Sequence, residues 1–321
     1  MSFSTLRPED LTAARQRIDG LVRRTEIMRS DTIDAELGVQ AFFKCEHLQH
    51  TGSFKFRGAS HAVSRLSGDC PGVATHSSGN HGAALARAAH AGGLAAHVVM
   101  PDNAVRVKVD AVRSNGGDVH FCAATQRARE AGLEEWVSRG FDAIPPYDDD
   151  RIIAGQGSCA LELFEQVPAL DAVVAPVGGG GLLAGTGLAA LTVDRSIRVV
   201  GVEPNGADDT LRSLAGGERV TDHHPRTMAD GLRALIGRRN LELIARHIET
   251  VLGVDERDII EAMVLVWRHL KQVVEPSGAV ALAGIMTHRE SFRGQRVGII
   301  LSGGNLDIAP LLHRLDSGDS G

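Results

Sequence analysis

The sequence predicts a two-domain α/β protein with mainly parallel sheets flanked by helices, and three observations carry that prediction. Short apolar runs alternate with helix-length segments through much of the chain, the pattern of parallel strands joined by crossover helices. The alternation breaks at Pro145-Pro146-Tyr147-Asp148-Asp149-Asp150, a proline and acid stretch of linker character. Glycine supplies 37 of 321 residues, and small residues suit close packing of helices on sheets. The smaller domain is therefore placed at residues 72–147 and the larger at 1–71 and 148–321.

Taken in order, residues 8–19 read as a helix, with Pro8 and two acids in its first turn. Residues 40–46 read as a strand, and a helix follows Lys55 to about residue 66. In the smaller domain, residues 73–76, 94–100 and 118–122 are strands. Helices are expected at 83–91, 105–115 and 124–139. Beyond the linker come a helix at 157–166, a buried strand at 172–177, strand 198–202 and a last strand at 296–301.

Composition narrows the function classes. The net charge of −6 offers no electrostatic footprint for nucleic acid. No apolar run is long enough to span a membrane, and the first residues lack a signal core. Cys45, Cys70, Cys122 and Cys159 are widely spaced, so neither a zinc ribbon nor a disulfide framework is indicated, and a reducing cytoplasm fits.

Lysine occurs only at 44, 55, 108 and 271, so Lys55 in His50-Thr-Gly-Ser-Phe-Lys55-Phe-Arg-Gly-Ala59 stands out. Only lysine offers a cationic side chain that desolvation can turn into an amine nucleophile. Gly178, Gly179, Gly180 and Gly181 lie between a buried strand and a helix. There the backbone can aim several N–H groups at an anion, which makes the run a phosphate cradle. No Gly-Lys-Ser/Thr follows, which excludes a nucleotide P-loop. Gly179-x-Gly181-x-x-Ala184 with Glu203 also satisfies a loose dinucleotide pattern, so a nicotinamide-dependent dehydrogenase stays open at this point. Ser77-Ser78-Gly79-Asn80-His81-Gly82 is a second strand-to-helix turn, suited to a carboxylate. Ser302-Gly303-Gly304-Asn305 is a third, at the strand edge where open α/β sheets bind ligands. His47, His50, His223 and His224 lack recognisable metal spacing. Residues 203–209 read as an acidic turn able to take a hard cation.

Together these segments resemble the fold-type II pyridoxal-phosphate enzymes, the tryptophan synthase β-like fold, and among them the threonine/serine dehydratase and serine racemase group. Thr51-Gly-Ser-Phe-Lys55-x-Arg-Gly-Ala, Ser77-Ser-Gly-Asn-His-Gly82, Ile153-Ala-Gly-Gln-Gly157, Pro176-Val-Gly-Gly-Gly-Gly181 and Leu301-Ser-Gly-Gly-Asn305 match in order, across residues 8 to about 312. The resemblance implies that Lys55 carries pyridoxal 5'-phosphate covalently and serves as catalytic base. N–H groups of residues 178–181 and Leu182 would hold the phosphate. Asn80 would meet the ring hydroxyl, Phe54 the ring face and Ser302 the ring nitrogen. Ser77, Ser78, Asn80 and His81 would receive the substrate, with Ser78 on the face opposite Lys55. Glu203, the Ala207 carbonyl and Asp209 would bind Mg²⁺ or Ca²⁺. The implied activity is dehydration and deamination of a β-hydroxy amino acid, L-threonine or L-serine by default, to a 2-oxo acid and ammonia, in a homodimer. Serine racemase and hydroxyaspartate or phenylserine dehydratase are the alternatives within the group. Arg127, Arg129 and Arg151 are the candidates for a second acidic group on the substrate.

Overall fold

A computed structural model describes residues 6–77, 79–194 and 196–307. In chain order the strands are β1 (Ile27–Met28), β2 (Gln40–Lys44), β3 (Gly72–His76), β4 (Ala95–Pro101), β5 (Asp118–Cys122), β6 (Asp142–Ala143), β7 (Ala172–Pro176), β8 (Arg198–Pro204), β9 (Thr250–Val254) and β10 (Arg296–Ile300). They form a six-stranded sheet ordered β1-β2-β10-β7-β8-β9 and a four-stranded sheet ordered β5-β4-β3-β6. Each pairing of these strands is parallel except β1 with β2. The central strands are buried on both faces, which explains their unbroken apolar sequences: β7 (Ala-Val-Val-Ala-Pro) is buried throughout.

Two apolar clusters sandwich the larger sheet, one centred on Phe43, Val174 and Leu282 and the other on Ile153, Val173 and Leu183. The smaller sheet has its own cluster, and that cluster recruits Phe56, Ala59 and Ile152 from outside residues 72–147. The lysine-bearing helix, Lys55–Val63, thus packs between the two sheets.

The structure moves several expected boundaries. The helix expected at 157–166 begins at Asp150, because Asp149 caps it by accepting from the Arg151 N–H at 2.8 Å. The proline and acid stretch is not a solvated linker. Its carbonyls and carboxylates are engaged around the cleft, as described next. Strand β8 runs on to Pro204, which puts Glu203 inside the sheet.

Candidate active site

Three polar turns lie at the C-terminal ends of β3, β7 and β10, and backbone hydrogen bonds hold the last of them to the lysine segment. Phe54 N–H donates to the Ser302 carbonyl at 3.1 Å and Gly304 N–H to the Gly52 carbonyl at 2.9 Å. Asn305 Nδ2 donates to the Thr51 carbonyl at 2.7 Å and to Asn80 Oδ1 at 2.9 Å. Asn80 Nδ2 in turn donates to Glu275 Oε1 at 2.7 Å. One chain of hydrogen bonds therefore joins the lysine segment, the Ser302 turn and the start of helix Asn80–Ala91.

Lys55 is the first residue of its helix, where the macrodipole disfavours a cation, and its Nζ donates to the Pro146 carbonyl at 2.8 Å. Burial lowers its pKa to about 8, so the neutral amine is accessible near physiological pH. The Phe54 ring lies 5.0 Å from Nζ. Ser302 is buried, and its hydroxyl donates to the Ser277 carbonyl at 3.3 Å.

The glycine run has the geometry of an anion cradle. Gly180 sits at φ +92°, left-handed backbone that favours glycine, and helix Gly181–Val193 starts immediately after it. The N–H groups of the first turn, including those of Gly181 and Leu182, have no helical acceptor of their own. A Cβ on Gly179 would fall 2.3 Å from the Tyr147 ring, so that ring closes over the loop. Several buried polar atoms near the lysine lack partners among the described residues: Ser53 Oγ, Thr51 Oγ1 and both carboxamide atoms of Gln156. An anion-binding loop, an accessible amine and unpaired buried polar atoms fit a phosphate-bearing aldehyde cofactor.

The Ser77–Gly82 turn is more engaged than its sequence suggests. Gly79 N–H donates to Ser77 Oγ at 3.3 Å. The buried His81 ring is pushed down to about 3, first by burial and then by the Lys55 charge, so it is neutral. Its Nε2 lies 2.9 Å from the Ile144 carbonyl, so this nitrogen carries the proton. His81 can meet a carboxylate through its backbone N–H, not its ring. Ser78 lies outside the described residues.

Glu203 and Asp209 are both 1% exposed. Burial pushes Glu203 up to about 8, with the Asp209 charge adding to the effect, and burial raises Asp209 too. Glu203 Oε1 accepts from Leu211 N–H and Asp209 Oδ2 from Ile236 N–H, each at 2.7 Å. Ala207 is buried in the turn Asn205–Ala207 between them. This is a hard-oxygen donor set. Among the described residues no three His, Cys, Asp or Glu side chains gather to hold a metal.

The three candidate arginines separate cleanly. Arg151 is taken by Asp142 at 2.6 Å and Asp149 at 2.8 Å. Arg127 is exposed. Arg129 Nε is buried without a partner, and its charge acts on His76, Cys122 and Tyr147. Glu275 was missed by sequence reasoning. It lies in a region that reads as featureless, ahead of helix Pro276–Thr287, and is 4% exposed. Burial, with the Asp230 charge second, raises it to about 8.

A lysine at a helix start, a glycine turn ahead of a helix and parallel sheets flanked by helices define an α/β protein of the kind the sequence predicts. Residues 18–303 match the family described as pyridoxal-phosphate dependent enzyme. The chain is 44% identical over 306 residues to a beta-hydroxyaspartate dehydratase of Paracoccus denitrificans (strain Pd 1222), covering 94% of this chain and 97% of that one. It is 41% identical to a serine racemase of Dictyostelium discoideum over 318 residues, covering 96% and 98%. The crystal structure of Dictyostelium discoideum serine racemase superposes with a TM-score of 0.90 at 42% identity, over 95% of this chain and 100% of that one. The structure of maize serine racemase superposes with a TM-score of 0.94 at 39% identity, over 98% of each chain. The chain therefore belongs to the pyridoxal-phosphate dependent enzyme family, with the fold-type II architecture, and the nicotinamide alternative falls away.

Proposed function

We propose that this protein is an ammonia-lyase that eliminates water from a β-hydroxy amino acid, the dehydrated product then taking up water to give a 2-oxo acid and ammonia. The observation that carries the reading is Lys55, a desolvated amine whose Nζ donates to the Pro146 carbonyl, the residue before the Tyr147 ring that lies against Gly179. Pyridoxal phosphate, when bound, supplies the electron sink that acidifies the substrate Cα–H. Residues 178–181 and Leu182 hold its phosphate, Asn80 and Phe54 its ring, and Ser302 its nitrogen. The neutral Lys55 amine takes the Cα proton. Backbone N–H groups of the Ser77–Gly82 turn, at the start of helix Asn80–Ala91, hold the substrate carboxylate. Ser302 offers the ring nitrogen a neutral hydroxyl in place of a carboxylate. That arrangement favours prompt loss of a β-hydroxyl over transamination.

L-Threonine and L-serine are the baseline substrates. Arg129 favours a second reading, a 3-hydroxyaspartate. Its buried Nε lacks a partner, its helix (Gln126–Ser138) belongs to the smaller domain, and its charge reaches Tyr147. The similarity to a beta-hydroxyaspartate dehydratase supports the same substrate class. Oxo-acid release measured across a panel of β-hydroxy amino acids tests both readings. Arg129→Leu should raise KM for 3-hydroxyaspartate about 10–100-fold and leave serine and threonine within about threefold. Equal effects on all three substrates would remove Arg129 from recognition. Racemisation, the remaining alternative, would need Ser78 as the acid opposite Lys55. D-isomer exceeding oxo acid would make it the main activity.

Glu203, the Ala207 carbonyl and Asp209 are proposed to take Mg²⁺ or Ca²⁺, supported by the two buried carboxyls. A melting curve unchanged by a chelator would exclude the ion. A homodimer in a reducing cytoplasm is proposed as the working form. The four free cysteines support the reducing compartment, and the homodimer rests on the family resemblance. Sedimentation of a monomer would contradict the assembly.

A further inference from the structure

The stretch read as a linker wraps the cleft instead, and its strained residue has no assigned role. Asp148 sits at φ +63°, a left-handed conformation unusual for any residue but glycine and tolerated best by Asn and Asp. From there its carboxylate accepts from three successive backbone N–H groups: Arg238 at 3.1 Å, Arg239 at 2.8 Å and Asn240 at 3.2 Å. These are the first three residues of helix Arg238–His247, so Asp148 caps a helix remote in sequence and places its charge at the positive end of the dipole. The same helix start grips the glycine cradle. Gly237 N–H donates to the Gly179 carbonyl at 3.2 Å, and Asn240 Nδ2 donates to the same oxygen. On the other side of Gly179 stands the ring of Tyr147, the residue before Asp148. Gly179 is thus clamped between Tyr147 and the helix start, and Asp148 joins the two jaws.

We propose that Asp148 is a positioning residue for the phosphate cradle, holding Tyr147 and the start of helix Arg238–His247 on opposite sides of Gly179. The proposal rests on the reading that residues 178–181 hold a phosphate. Local strain persists where surrounding contacts over-determine it, and three N–H donors supply that here. The capped helix start and the ring fix the loop before an anion arrives, so the carboxylate should matter for ligands that carry the phosphate.

The test uses the full-length protein freed of cofactor, with dissociation constants measured for pyridoxal phosphate and for pyridoxal, which lacks the phosphate. Asp148→Gly is the informative variant, because glycine keeps the left-handed backbone and removes only the carboxylate. It should weaken pyridoxal phosphate about tenfold and pyridoxal less than about twofold. Asp148→Asn keeps the backbone and one acceptor oxygen, and should recover most of the loss. Equal weakening of both ligands by Asp148→Gly, or no change in either, overturns the proposal. If Asp148→Gly does not fold, Asp148→Asn carries the comparison: a small loss confined to pyridoxal phosphate supports the proposal, and any other pattern overturns it. Failure of the wild type to prefer pyridoxal phosphate would instead sink the phosphate reading itself.

Discussion

Lys55 is the lysine at a helix N-terminus whose half-buried amine donates to a carbonyl, whereas Lys44, also buried and bonded to the Thr25 carbonyl, is paired with Glu162. Burial disfavours the charged form, so half of the amine is neutral near pH 8 and most of it about one unit above. Labelling by an amine-directed reagent, resolved residue by residue in a mass spectrometer, should therefore have its midpoint for Lys55 near pH 8. A midpoint near the ordinary lysine value of 10.5 would contradict the desolvated amine. The linkage has a definite sign. The folded chain holds fewer protons than the unfolded one between about 8 and 10.5, so this group adds stability as pH rises through that window. The importance of Lys55 was legible in the sequence, because lysine is rare in this chain and its neighbours are small and polar. The network around it was not, because Asn80 lies 195 residues from Glu275 and 225 from Asn305, and they meet only through the fold. The orientation of His81 was likewise not legible: its place in the turn suggested a ligand, and the fold turns its ring toward Ile144, leaving the backbone N–H as the proposed contact.

Among the elements, helix Lys55–Val63 is fixed from below by a buried ionic cluster. Arg57, 0% exposed, donates from Nε and Nη2 to Glu46 at 2.7 and 2.8 Å and from Nη1 and Nη2 to Glu162 at 2.8 and 2.7 Å. Lys44 Nζ donates to the same Glu162 at 2.9 Å. Arginine is needed because its planar fork meets two carboxylates at once. This explains why the motif carries an arginine two residues after the lysine. Its role is to bolt the helix down, not to meet substrate. Arg57→Met would leave two buried carboxylates short of charge and should destabilise the fold by about 3–5 kcal/mol in denaturant titration. A loss below about 1 kcal/mol would show the cluster to be dispensable. The helix Asp150–Gln166 was read too short for a related reason. Gly155 and Gly157 look like breakers in sequence, whereas in the fold a Cβ on Gly157 would fall 2.9 Å from the Gly185 carbonyl. Gly157 lets this helix pass close to helix Gly181–Val193 and Gly155 lets it pass close to helix Lys55–Val63, a tertiary demand that local propensity cannot reveal.

At the scale of the molecule there are two sheets, parallel but for the β1–β2 edge, and two polar contacts join the parts that carry them. Lys108, on helix Arg106–Ser114 of the smaller sheet, pairs with Asp230 in the turn beside the glycine cradle. Asn80 and Glu275 make the second tie. We propose that residues 72–147 close on the remainder through these ties, and that the boundary near 147 lies within the strap carrying Tyr147 and Asp148. Lys108→Met should raise KM about two- to fivefold with little change in melting temperature, as expected for a partly exposed ion pair. An unchanged KM would show that the pair plays no part in closure. The two-sheet plan was legible from the alternation of strands and helices. The segment from residue 205 to 295 was not, because its helices and β9 carry no motif that singles them out.

The central claim is that the Lys55 amine removes the substrate proton, and release of 2-oxo acid by Lys55→Ala tests it most directly. With cofactor and a β-hydroxy amino acid saturating, the account predicts a rate at least about a thousandfold below wild type, while melting temperature stays close to wild type. A folded Lys55→Ala protein that forms oxo acid within about tenfold of the wild-type rate would contradict it.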